Sequence, residues 1–89
     1  MKNILITGAS QGIGRATAIE AAKNKAFVGI NYSKNSDAAE SCLEAVKSHG
    51  GDGIILKCDV ADNIAVKDMF NKFMEKSGTL DGVFNNAGI

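Results

Sequence analysis

Two textures of apolar residues alternate along the chain. Short unbroken apolar runs rich in β-branched side chains are separated by longer stretches in which apolar residues recur every three or four positions. The runs are Ile4-Leu5-Ile6-Thr7, Ala26-Phe27-Val28-Gly29-Ile30-Asn31-Tyr32, Gly53-Ile54-Ile55-Leu56-Lys57-Cys58 and Gly82-Val83-Phe84-Asn85. Each predicts a strand. The first and third are continuously apolar rather than alternating, as expected of parallel strands covered on both faces.

The intervening stretches predict helices. Residues 13–24 carry Ala16, Ala18, Ala21 and Ala22, small enough to let a helix press close to a sheet. Residues 37–48 align Ala39, Cys42, Leu43 and Val46, and residues 63–76 align Val66, Met69, Phe70, Phe73 and Met74, each set forming one apolar stripe for the core. Asp37 with Glu40 reads as a capping box, Gly50 and Gly78 stand where helices would end, and no proline interrupts any stretch. Strand, helix and strand repeated three times imply βαβ units, a parallel sheet and right-handed crossovers. The expected fold class is α/β: a Rossmann-like parallel sheet, a truncated half reading β-α-β-α-β-α-β with strand order 3-2-1-4.

Composition narrows the function classes. An 89-residue chain is one small domain at most, and 45% hydrophobic with 22% charged residues is a globular profile rather than a disordered one. Ten basic and ten acidic side chains cancel, which argues against a nucleic-acid surface or an anionic membrane as partner. No apolar run is long enough to span a bilayer. The N-terminal "MKNILITGAS" meets a glycine turn where a signal peptide would continue, so it reads as a first strand and the expected compartment is the cytoplasm. Cys42 and Cys58 then read as buried thiols rather than a disulfide, and they lack metal-ligand spacing.

Chemistry enters with "ITGASQGIGRA", residues 6–16, where Gly8, Gly12 and Gly14 follow the first strand and open the first helix. Gly8 permits a tight exit from the strand, Gly12 lets backbone approach a phosphate-bearing ligand, and Gly14 lets helix and sheet pack closely. The amides at the start of that helix face an anion, helped by the helix dipole. A glycine triplet alone is weak evidence, but strand, turn and helix in a βαβ setting are the context nucleotide binding requires. "KCDV" (57–60) and "NNAG" (85–88) end the third and fourth strands, at the edge where such sheets bind ligands. Taken alone, Asp59 is better read as a helix cap or a solvated loop acid.

"TGASQGIG" (7–14), "DV" (59–60) and "NNAG" (85–88), in this order and spacing, resemble the short-chain dehydrogenase/reductase family over the whole chain, in particular its 3-oxoacyl-[acyl-carrier-protein] reductase and glucose-dehydrogenase-like branch. The resemblance implies that residues 1–89 are the N-terminal part of a single NAD(P)-binding Rossmann domain whose catalytic C-terminal part is absent. It assigns Gly8, Ser10, Gln11, Gly12, Ile13 and Gly14 to the adenosine and pyrophosphate portion of the cofactor. Asp59 and the Val60 amide would meet the adenine, and Asn86, Ala87 and Gly88 the adenosine-ribose side, while Asn85 would tie the fourth strand into the sheet. Tyr32, Ser33 and Lys34 occupy the end of the second strand, where family members that select NAD carry an acid. With no acid there and Lys34 able to reach a phosphate, NADP is favoured over NAD. Gln11, where NADP-preferring members often carry a basic residue, is a departure.

The family's reaction needs a Ser and a Tyr-x-x-x-Lys beyond "NNAG". The single tyrosine, Tyr32, has Ser36 four positions on, so no catalytic residue is expected in this chain. His49 near a helix end reads as structural or solvated, and Lys23, Lys25, Lys67, Lys72 and Lys76 as solvated. Arg15 could reach a phosphate or sit on the first helix's surface. The expected function is therefore the cofactor-binding part of an oxidoreductase that, full length, moves a hydride between a nicotinamide and a carbonyl or alcohol substrate. The alternative is a complete, non-catalytic nucleotide-binding module or remnant that self-associates through its exposed fourth strand. A parent clipped after Ile89 would reconcile the two. A homo-oligomer is expected.

Overall fold

In the computed structural model, which describes residues 2–86, four parallel strands and three helices alternate. They are β1 (Asn3–Thr7), α1 (Gly12–Lys23), β2 (Phe27–Tyr32), α2 (Ser36–Ser48), β3 (Asp52–Lys57), α3 (Asn63–Ser77) and β4 (Gly82–Asn85). The sheet runs β3-β2-β1-β4, as the sequence predicts. Register is set by Ile4 opposite Val28 and Gly82, and by Ile30 opposite Ile55.

The unbroken apolar runs are explained by the two layers. Ile4, Ile6, Val28 and Ile30 face α1 and α2, packing with Ala18, Ala22, Ala39, Cys42 and Val46. Leu5, Ile54 and Leu56 point the other way, against Met69 and Phe73 of α3. Because successive strand residues alternate between faces, a strand covered on both faces must be apolar at nearly every position. Phe73 lies fully buried over β2, where a Cβ on Gly29 would stand 2.7 Å from its ring, and its ring is tilted against Phe27 at a centroid distance of 5.6 Å.

Two expectations need correction. The α2 N-cap is Asn35, whose Oδ1 accepts the Ala38 N–H at 3.0 Å, so Asp37 and Glu40 form no capping box. Asn35 reaches the amide three residues on and starts the helix before Asp37, which sits instead inside the first turn, where its charge suits the dipole. Met74 is 39% exposed: one turn beyond Phe70, it falls off the edge of the stripe that buries Met69 and Phe73. Gly78, left-handed at φ 79°, is the C-cap of α3, whereas α2 ends on His49 with Gly50 just beyond. The exposed His49 ring sits 2.7 Å from the Ala45 carbonyl oxygen.

β4 is fastened at both ends. At its start, the Asn3 N–H donates to Asp81 Oδ2 at 2.7 Å and Asn3 Nδ2 to Thr79 Oγ1 at 2.8 Å. At its end, Thr7 Oγ1 donates to Asn85 Oδ1 at 3.1 Å and accepts the Asn86 N–H at 2.9 Å. Among the described residues β4 pairs with β1 alone, leaving Val83 47% exposed on the sheet edge.

Candidate functional site

The carboxyl ends of the four strands form one rim, and the segments leaving it hold the candidate residues. From β1 the chain passes through Gly8 (φ 62°), Ala9, Ser10 and Gln11 to Gly12 (φ 61°). These positive φ values favour glycine, because a side chain there would press its Cβ on the following carbonyl. Gln11 is the N-cap of α1, yet its side chain makes no capping hydrogen bond, and no acid occupies the first turn. The first amides of α1 are thus left to a ligand, with the positive end of the helix dipole behind them.

Space and packing agree with that use. A Cβ on Gly12 would meet nothing within 4 Å, so the backbone here borders open space. Gly14 is the opposite case: a Cβ there would stand 2.5 Å from the Gly8 carbonyl oxygen and 2.9 Å from Asn86 Nδ2. The helix is therefore seated directly on the turn. Ile13 projects from this first turn, 69% exposed.

Other strands close the rim. Tyr32 ends β2 half-buried, its carbonyl accepting the Cys58 N–H at 2.9 Å, and Ser33 and Lys34 follow it exposed. Beyond β3, Asp59 Oδ1 accepts the Ala61 N–H at 2.9 Å, turning the chain toward α3, which Asp62 caps through the Ile64 and Ala65 amides. Asp59 thus shapes the loop rather than capping the helix, with Val60 half-buried beside it. Asn86 Nδ2 donates to the Gly8 carbonyl at 3.2 Å, joining the end of β4 to the glycine turn. Ala87 and Gly88 lie outside the described residues. Arg15, from α1, reaches Ser41 Oγ of α2 at 3.5 Å, on the molecule's surface.

The residue that sequence reasoning missed is Asn31, 2% exposed near the end of β2. Its Oδ1 accepts the Gly8 N–H at 3.0 Å, and its Nδ2 donates to the carbonyls of Leu56 (3.2 Å) and Cys58 (3.1 Å). The signal was a single polar residue inside an otherwise apolar strand. Proton-transfer chemistry is not offered by the buried thiols. Burial pushes the Cys58 thiol up, reinforced by Asp62, Asp59 and Asp68, and burial also raises Cys42, against the opposing pull of Arg15. Among the described residues both cysteines are free, no cluster of side chains suits a metal ion, and no helix is long and apolar enough to cross a membrane.

This arrangement can hold an anionic, extended ligand along the rim. A family model described as short chain dehydrogenase matches residues 2–89. A 3beta-hydroxysteroid dehydrogenase from Mediterraneibacter gnavus is 46% identical over 88 residues, covering 99% of this chain and 32% of that protein. The short-chain dehydrogenase/reductase homolog YusS of Bacillus subtilis is 39% identical over 88 residues, covering 99% of this chain and 81% of that one. Among solved structures, an NADH-dependent reductase complexed with NAD superposes with a TM-score of 0.90 at 36% identity, covering 97% of this chain and 36% of that one. The chain spans about a third of the length of most of the relatives it matches and most of the length of the Bacillus protein.

Proposed function

Since the chain belongs to the short-chain dehydrogenase family, we propose that residues 1–89 are the dinucleotide-binding N-terminal part of an NAD(P)-dependent oxidoreductase. The observation that carries this reading is the turn itself. Gly12 borders open space, Gly14 seats α1 on Gly8, and the first amides of α1 have no side-chain cap. A pyrophosphate laid there would accept hydrogen bonds from residues 12–14. Ser10, Gln11 and Ile13 would flank it, Asp59 and Val60 would border the adenine, and Asn86, Ala87 and Gly88 the adenosine ribose. When bound, the cofactor would supply the hydride chemistry. The part of this chain is to hold and orient the cofactor, and a carbonyl or alcohol substrate would meet residues outside 1–89. The two free, buried thiols suit a cytoplasmic home.

The preferred cofactor is NADP. The end of β2 offers the exposed pair Ser33 and Lys34 and no acid, so a 2′-phosphate would find a cation and a hydroxyl rather than a repelling carboxylate. A hydrogen bond to a charged group contributes about 1.5–3 kcal/mol, which corresponds to roughly tenfold or more in affinity. Fluorescence titration should therefore show NADPH binding at least tenfold tighter than NADH, with Lys34→Glu reversing the order. Tighter NADH binding by the unaltered protein would refute the preference.

Self-association is the second reading, favoured by Val83 and the unpaired outer side of β4 among the described residues. An open apolar edge is a template for another strand. Light scattering of the 89-residue chain should give a mass above the 9.3 kDa monomer, and a monodisperse monomer would rule this out.

A further inference from the structure

The parallel ladder between β1 and β2 ends at Ile6 opposite Ile30, yet β2 runs on to Tyr32. Beyond that last rung the Gly8 amide is received by a side chain of β2 rather than by its backbone. Asn31 supplies that side-chain amide, Oδ1 turned to Gly8 on one side and Nδ2 to Leu56 and Cys58 on the other. Only this orientation of the amide suits all three partners, since the Gly8 N–H requires an acceptor and the two carbonyls require donors. Its own backbone carbonyl takes the next amide, the Ala9 N–H, at 3.0 Å. From the opposite side Asn86 Nδ2 donates to the Gly8 carbonyl at 3.2 Å.

We propose that Asn31 is a positioning residue for the glycine turn. Its side-chain amide serves as an extra rung of the sheet that fixes the Gly8–Ala9 segment and so aims the amides of residues 12–14 at the ligand's phosphates. The same side chain couples the turn to the 58–60 segment, so both halves of the rim are set by one group. No other side chain of this length carries acceptor and donor together: leucine has the shape without the bonds, and serine is too short to reach both sides. The proposal rests on the dinucleotide-binding reading for its ligand, although the geometry of the turn stands without it.

The test uses amide hydrogen exchange by NMR and NADPH titration of the unaltered chain, Asn31→Leu, Asn31→Ser and a control, Val46→Ala. Val46 is buried in the last turn of α2, the turn that leads to the start of β3 and so to the end of the sheet opposite the rim. In the unaltered chain the Gly8 amide should be protected like strand amides, and free exchange there overturns the proposal with no variant or ligand needed. Whichever Asn31 variant stays folded by circular dichroism should lose Gly8 protection and at least tenfold in NADPH affinity. Val46→Ala, destabilised to a comparable degree, should stay within twofold. Unchanged affinity in a folded Asn31 variant, or an equal loss in the control, overturns the proposal. If the unaltered chain binds neither dinucleotide, the reading of the site as a cofactor cradle falls, and Gly8 exchange still decides the role of Asn31.

Discussion

Phe73→Ala is expected to remove about 3–5 kcal/mol of stability, the range for deleting a fully buried phenylalanine. The upper part of that range applies because of what lies beneath the ring. Gly29 offers no side chain to relax into the space, and a Cβ placed there would already stand 2.7 Å from Phe73 Cδ1. The resulting cavity has little means of collapsing. Folded domains hold only about 5–15 kcal/mol in total, and a chain of 89 residues stands low in that range. Urea unfolding should therefore show a midpoint lowered by half or more, with α3 released first, since Met69 and Phe73 are its two buried anchors. The pairing is testable within the same experiment. Gly29→Ala alone should destabilise by overpacking, yet the same change in Phe73→Ala should recover part of the loss by filling the cavity. A midpoint for Phe73→Ala equivalent to less than about 1 kcal/mol below the parent would contradict this account of the α3 layer.

Gly14→Ala is expected to damage binding more than folding. In an exposed helix the change would stabilise by about 1 kcal/mol. Here the new methyl would stand 2.5 Å from the Gly8 carbonyl oxygen and 2.9 Å from both Ala9 Cα and Asn86 Nδ2. Two of those three atoms are backbone and cannot swing aside. Overpacking of this kind costs about 1–3 kcal/mol, which equals or outweighs the helical gain, so a net loss of roughly 0–2 kcal/mol is expected by subtraction. Relief comes only if α1 backs away from the turn, and that moves the amides of residues 12–14 together. NADPH affinity should fall at least tenfold in a chain that is still folded. A variant as tight and as stable as the parent would show that the seat of α1 on Gly8 is not needed.

Much of this was legible in the sequence because it depended on local chemistry. The strands of 4–7 and 82–85 and the helix of 63–76 were placed within a residue or two, since their periods are set by which faces a covered sheet must bury. Glycines forced to positive φ at Gly8 and Gly12 are equally local: chirality restricts other residues wherever they occur. The rest depended on partners far along the chain or on competition between neighbours. Asn35 and Asp37 can each cap a helix, and only the position of the first turn decides between them. Asn31 looked like an exception within a strand because its partners stand 23, 25 and 27 residues away. Met74 shares the spacing of the α3 stripe, but the width of the sheet beneath decides which of its residues are covered.

The ties between β1 and β4 carry a consequence for the order of assembly. Asn3 with Asp81 and Thr7 with Asn86 are separated by 78 and 79 residues, nearly the whole chain. Closing so long a loop costs about 0.6 kcal/mol for every doubling of its length, and such contacts are slow to form. The span from β1 to β3 pairs across shorter separations, so it can assemble while the chain is still emerging from the ribosome. β4 can dock only once residues 82–85 have emerged, after the other three strands. The Asn86 clamp on Gly8 then closes later than the β1–β2–β3 ladders, and the phosphate cradle is completed only after that three-stranded sheet has formed. A nascent chain therefore gains a sheet well before it gains a site, and ligand present during synthesis would select for that later step alone.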